Sequence, residues 1–245
     1  MKIVKIPLYK GALGKNDGCV KAPDAIVNTL VDEIWSTEEG KAIVFEIDEA
    51  EEDLDKVEGD IFIGGDHSIT YHLFKGFAKR NKNSGLIVFD AHPDVYKQHK
   101  SVTHQDWIKF LVDEKIVDKE NVLLIGLRAA DPSEIRWLKE QKIKFFTAAD
   151  VYESVEDVYK SIEKLGKKVN SLYLSLDIDV LDPAFAPGTG YREPGGLSTR
   201  DLLHFIKLVK NLKSFKAVDL VEVNPEMDRD NLTVKTAAKI IGEFL

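Results

Sequence analysis

The 245-residue sequence is 44% hydrophobic and 31% charged, a composition that can build a packed core and excludes a disordered chain. Acidic residues outnumber basic ones by 42 to 34, giving a formal net charge of −8, so no overall field draws the protein to nucleic acid or to an anionic membrane. No apolar stretch approaches the ~20 residues of a membrane span, the first residues read as a short strand, and the single cysteine, Cys19, has no internal partner, so a cytoplasmic protein is expected.

In chain order, apolar runs that read as strands cover Ile3–Pro7, Ala42–Ile47, Asp60–Ile63, Leu86–Phe89, Val122–Leu127, Lys144–Thr147, Ser171–Leu176 and Ala217–Val221. Most are continuous hydrophobic runs, the pattern of strands covered on both faces of a parallel sheet. Helical patterns lie between them over Pro23–Trp35, Ile69–Arg80, His104–Lys115, Pro132–Gln141, Ser154–Leu165, Thr199–Leu212 and Thr233–Phe244. Pro23 stands in a first helical turn, and Ser198 or Thr199 can cap the helix that follows. The acidic stretch Glu46–Glu58 reads as a solvated connection. Strands alternating with helices require right-handed crossovers and an open α/β sheet between helical layers. No linker, repeat or low-complexity tract divides the chain, so residues 1–245 are expected to form one domain.

In such a sheet, ligands bind beyond the carboxyl ends of the strands. Four expected strands deliver acids or imidazoles there. They are followed by Gly64-Gly65-Asp66-His67, by Asp90-Ala91-His92-Pro93-Asp94, by Asp177-Ile178-Asp179 and by Glu222-Val223-Asn224-Pro225. In extended backbone, Asp90, His92 and Asp94 project the same way, and Asp177 and Asp179 repeat the device. Any one of these residues alone reads as readily structural as functional. Four clustered carboxylates, however, cannot all stay ionised without nearby positive charge. Two divalent cations would supply it, and mostly oxygen ligands with one imidazole per ion and no thiolate suit Mn²⁺ better than a structural Zn²⁺. Asp66 and Ser68 read as supporting or capping groups, Asp182 and Pro183 as turn formers, and His72 and His204 as structural.

Gly64-Gly65-Asp66-His67-Ser68, Asp90-Ala91-His92-x-Asp94 and Ser175-Leu176-Asp177-Ile178-Asp179-Val180-Leu181-Asp182-Pro183 resemble the signature motifs of the ureohydrolase family, which comprises arginase, agmatinase, formimidoylglutamase and relatives. The likeness spans nearly the whole chain, and Pro187-Gly188-Thr189-Gly190 with Pro194-Gly195-Gly196-Leu197 is most similar to agmatinases. The resemblance implies a three-layer α/β/α sandwich with a mostly parallel sheet of about eight strands. It implies two Mn²⁺ per subunit and a homo-oligomer, trimeric or hexameric. One Mn²⁺ would be held by His67, Asp90, Asp94 and Asp177, the other by Asp90, His92, Asp177 and Asp179. By the same likeness Asp94 orients the bridging hydroxide, Glu222 binds the substrate guanidinium, and His104 passes a proton to the leaving amine.

The substrate is argued from the loop between Asp94 and His104, which is short for the family. Tyr96 is the agmatinase-type residue where arginases carry Asn, whereas Leu127-Arg128-Ala129-Ala130-Asp131 resembles an arginase segment whose first acidic residue is replaced by Ala129, with Asp131 left to meet a substrate ammonium. The expected reaction is hydrolysis of agmatine to putrescine and urea. The alternatives are arginine, a guanidino acid, aminopropylagmatine or a formimino compound, with Lys97 and Lys100 the cations that would favour an acidic substrate. An arginase-fold metal-dependent deacetylase would carry a His-His pair, which is absent here, and a non-catalytic binding protein would not need six intact ligands.

Overall fold

The continuous apolar runs form the interior of one sheet, and the amphipathic stretches form the layers that cover it. The structure, a computed structural model, describes residues 1–32, 45–96 and 99–245. Its strands are β1 (Lys2–Ile6), β2 (Glu46–Glu49), β3 (Ile61–Gly64), β4 (Ser84–Phe89), β5 (Val122–Leu127), β6 (Lys144–Thr147), β7 (Ser171–Asp177) and β8 (Phe215–Val221). Its helices are α1 (Ala22–Asp32), α2 (Ile69–Arg80), α3 (Trp107–Asp113), α4 (Pro132–Gln141), α5 (Ala148–Glu153), α6 (Val155–Lys168), α7 (Thr199–Lys210) and α8 (Leu232–Gly242). The sheet order is β2-β1-β3-β8-β7-β4-β5-β6, with every strand pair parallel. Parallel pairing demands long crossovers, which the helices supply. The ends of the expected first helix and second strand, 33–35 and 42–44, lie outside the described residues.

Alternation along each strand sorts the core into two layers. Ile3, Ile61, Ile63, Ile87 and Phe89 pack with α1, α5, α6, α7 and α8 on one face. Val4, Ile6, Phe62, Leu86 and Val88 pack with α2, α3 and α4 on the other. This is the α/β/α sandwich expected. Helix α7 starts at Ser198, whose hydroxyl accepts the Asp201 N–H in a full capping box.

One expectation is corrected at the sheet edge. Glu46–Glu58 is no mere connection, because its first residues form β2, exposed along its length. Charge holds it in register: Lys2 lies 3.1 Å from Asp48 and Lys5 2.5 Å from Glu49 across the β1 ladder. A strand of carboxylates with one exposed apolar residue also discourages further edge pairing.

Strands β3 and β4 are consecutive in the chain but stand apart in the sheet, with β8 and β7 between them. The segments leaving all four therefore emerge side by side at one edge, where the candidate residues lie.

Candidate active site

Two of the local devices differ from the extended alternation expected from the sequence. Asp94 leaves the extended region at φ 50°, and Asp179 lies in a 3₁₀ turn, Ile178–Val180, capped by Asp177 Oδ1. Both still reach the site, because a left-handed residue and a tight turn each redirect the chain within two residues of a strand end. Gly65 lets the β3 turn close against β1, since a Cβ there would stand 1.8 Å from the Leu8 carbonyl oxygen.

Asp90 Oδ1 accepts the His92 N–H at 2.6 Å, Asp177 Oδ1 the Asp179 N–H at 2.8 Å, and Asp179 Oδ1 the Ala91 N–H at 3.0 Å. These bonds turn the Oδ2 atoms inward. His67 Nδ1 then lies 3.1 Å from Asp90 Oδ2, 3.1 Å from Asp94 Oδ2 and 3.2 Å from Asp177 Oδ2, while His92 Nδ1 lies 2.9 Å from Asp179 Oδ2. Two groups have ligand atoms close enough to share a metal ion: His67, Asp90 and Asp177, and Asp90, His92 and Asp179.

The donor chemistry fits such ions. Ser175 Oγ donates to Asp219 Oδ1 at 2.6 Å, so toward His67 Nε2, 2.9 Å away, it acts as acceptor. That commits the Nε2 proton. In the neutral ring, the Nδ1 lone pair therefore faces three carboxylate oxygens, and both Nδ1 and Asp90 Oδ2 are buried without a hydrogen-bond partner among the described residues. Acceptors gathered around acceptors need a cation.

Protons are the substitute. Burial opposes charge on His67, but Asp177, Asp90 and Asp94 hold its pKa well above the ordinary value, and Asp179 and Asp90 do the same for His92. Burial and the Asp90 charge push Asp94 up to about 7. Asp177 rises far by burial and by its neighbours Asp179 and Asp90. Asp179 also rises, with burial outweighing His92. Asp90 alone is lowered, because His67 and His92 together outweigh its burial.

The cluster forms the floor of a cavity of about 330 Å³ whose walls include Tyr96, His104, Gln105, Ala129, Asp131, Tyr191, Glu193 and Glu222. Glu222, also left-handed at φ 65°, accepts the His67 N–H on Oε1 at 2.7 Å and the Asn16 side-chain N–H on Oε2 at 2.6 Å. Its burial raises the carboxyl, but His104, Asn16 and the His67 N–H outweigh burial and keep it below the usual range. His104 Nδ1 lies 3.5 Å from Glu222 Oε1, which lifts the imidazole against its burial, and His104 Nε2 is buried without a described partner. Asp131 caps α4, with Oδ1 accepting the Ser133 N–H at 2.8 Å, and is among the residues lining the cavity. Asp66 and Asp182 play the supporting parts expected of them, Asp66 binding the Gly11 and Ser68 N–H groups and Asp182 those of Ala184, Gly195 and Gly196. Lys97 lies outside the described residues, and Lys100 is not among the residues lining the cavity.

Sequence reasoning missed Asn16, Ser175, Asp219, Trp107, Tyr191 and Glu193. Ser175 and Asp219 left a signal, each being a polar residue inside a fully buried apolar run.

The arginase-family model matches residues 37–245. The chain is 33% identical over 202 residues to an arginase of Staphylococcus aureus, with 75% of this chain and 66% of that protein covered. It is 34% identical over 186 residues to an agmatinase of Bacillus cereus, with 75% and 61% covered. The matched part thus spans less than two thirds of these relatives' length. Among solved structures, formimidoylglutamase of Bacillus subtilis superposes with a TM-score of 0.91 at 22% identity, covering 99% of this chain and 85% of that one. Arginase of Bacillus subtilis superposes with a TM-score of 0.84 at 25% identity, covering 100% and 97%.

Proposed function

The chain belongs to the arginase family, and from that premise we propose that it is a divalent-metal ureohydrolase that cleaves a guanidine C–N bond to give urea and an amine, with agmatine as substrate. His67, Asp90, Asp94 and Asp177 would hold one ion, and Asp90, His92, Asp177 and Asp179 the second, Mn²⁺ being the metal that suits this oxygen-rich donor set. When bound, the ions supply Lewis acidity and a nucleophile at neutral pH.

The chain's own residues account for the rest. Glu222 is held by His67 and Asn16 with its carboxylate at the cavity, where it can accept two N–H groups of a guanidinium. His104, fixed beside Glu222, carries the proton that the departing amine takes up. Asp94, at the cavity floor, would be ionised with the ions bound and would orient the nucleophile they supply.

The substrate tail is chosen by charge. The described lining contains no lysine or arginine, while Asp131, Glu134 and Glu193 stand along its walls. Those wall carboxylates carry the agmatine reading: a primary ammonium meets them there, whereas a substrate carboxylate would face like charge. A urea- and formamide-release assay in Mn²⁺ tests it, over agmatine, arginine, guanidinobutyrate, aminopropylagmatine and formimidoylglutamate. We expect kcat/KM for agmatine to exceed that for arginine at least about tenfold, a difference of ~1.4 kcal/mol. Equal values, or a preference for guanidinobutyrate, would overturn the substrate. No release from any member would overturn the hydrolase.

A further inference from the structure

Three of the four clustered carboxylates are held alike, each with Oδ1 bound to a backbone N–H and Oδ2 turned to the cluster. Asp94 has no backbone clamp among its described hydrogen bonds. Its own backbone is left-handed, so nothing in a regular ladder fixes its side chain. Its Oδ2 instead accepts the indole N–H of Trp107 at 2.6 Å, and the same oxygen lies 3.1 Å from His67 Nδ1. Trp107 opens α3, is fully buried, and sets its ring 4.6 Å from the His67 ring, centroid to centroid, tilted by 44°.

An indole N–H can only donate, a buried tryptophan must place it, and a bond to a carboxylate is of the short, strong, charge-assisted kind. We infer that Trp107 is the positioning residue of Asp94, doing from a side chain what backbone N–H groups do for the other three acids. It fixes the rotation of the carboxylate, keeps Oδ2 beside His67 Nδ1, and, as a neutral donor, eases the repulsion of four acids before any cation arrives. Its ring covers His67 and limits that imidazole's tilt. A phenylalanine would fill nearly the same space and lack only the N–H, so function and packing can be separated. The inference rests on the reading that the cluster binds divalent cations.

The test compares Mn²⁺ binding by equilibrium dialysis in the wild type, in Trp107→Phe, and in Ile108→Val, a packing control at the adjacent, equally buried position of the same helix. Trp107→Phe should weaken the tighter Mn²⁺ class about tenfold, as loss of a hydrogen bond to a charged group does, and Ile108→Val should leave it unchanged. A Trp35→Phe/Trp137→Phe protein retains Trp107 as its one indole. Its N–H proton should be shifted downfield and protected from exchange in the metal-free state, and its fluorescence should change on Mn²⁺ addition with the dissociation constant of the tighter class. Wild-type affinity in Trp107→Phe overturns the inference alone, and a wild type that binds no Mn²⁺ overturns the metal reading beneath it. If Trp107→Phe does not fold, an exchange-labile indole proton at an ordinary shift overturns the inference.

Discussion

At the residue scale, His104 faces two ways, with Nδ1 at the Glu222 carboxylate and Nε2 buried without a partner among the described residues. A group so placed can move a proton without holding a metal, and its nitrogens lie in neither candidate metal group. His104→Ala should therefore lower kcat by about 10²-fold or more, the usual range for a lost general acid or base, while bound Mn²⁺ stays at the wild-type content. Metal analysis beside single-turnover kinetics checks this, and lost metal would make His104 a ligand. The candidate ligands were legible because each is a polar residue where an apolar run stops. Ser175 and Asp219 left only the fainter signal of a polar residue within such a run, and they serve His67 through the sheet interior. Asp219 also accepts from Thr70 and Tyr173, so the buried carboxylate that reads as an anomaly in β8 is bonded by three hydroxyls. Trp107 was hidden differently, reading as one more apolar residue of a helix when its indole is also a donor.

At the scale of elements, Arg128 joins two segments that the strands alone leave apart. Its guanidinium donates to the carbonyls of Asp179, at 2.6 Å, Val180, Leu181 and Glu193, and so ties the 3₁₀ turn after β7 to the loop carrying Tyr191 and Glu193. Arg128→Met would keep much of the packing and leave these carbonyls short of a donor. We expect a loss of about 2 kcal/mol, read as a lower urea midpoint at unchanged slope. Arg128→Lys should recover only part of it, because an ammonium cannot spread donors over carbonyls on two segments. Strands with continuous apolar runs were legible nearly to the residue, as β5 shows. Helix α5 escaped notice because six residues hold too little periodicity, although the Thr147 and Asp150 capping box marks its start. The third helix was expected from His104 but begins at Trp107, because Asp106 spends its carboxylate on His99 and Thr103.

At the scale of the whole molecule, the sheet concentrates raised acids and raised imidazoles at one edge, and this sets how stability follows pH. In the metal-free fold, Asp94 titrates at about 7, Asp177 and His67 well above their ordinary values, and Asp179 and His104 are raised as well. Between pH 6.5 and 8.5 the unfolded chain has its carboxylates ionised and is losing its histidine protons, while the folded cluster keeps protons. The folded state thus binds more protons, and the slope of unfolding free energy against pH is negative. Stability present below these folded pKa values is lost as pH rises through them. His72, lowered by burial, acts oppositely, but only below its ordinary value of 6.5. Asp90 and Glu222, lowered, act in acid and not in this window. The metal-free protein should therefore melt lower at pH 8.5 than at pH 6.5. Divalent cations bind the deprotonated ligands, so their affinity and the stabilisation they confer should grow over the same interval. Calorimetric melting at both pH values, in chelator and in excess Mn²⁺, measures the two effects together. The Mn²⁺-induced rise in Tm should be larger at pH 8.5, and a metal-free protein as stable at pH 8.5 as at pH 6.5 would mean that the cluster does not store protons in place of metal.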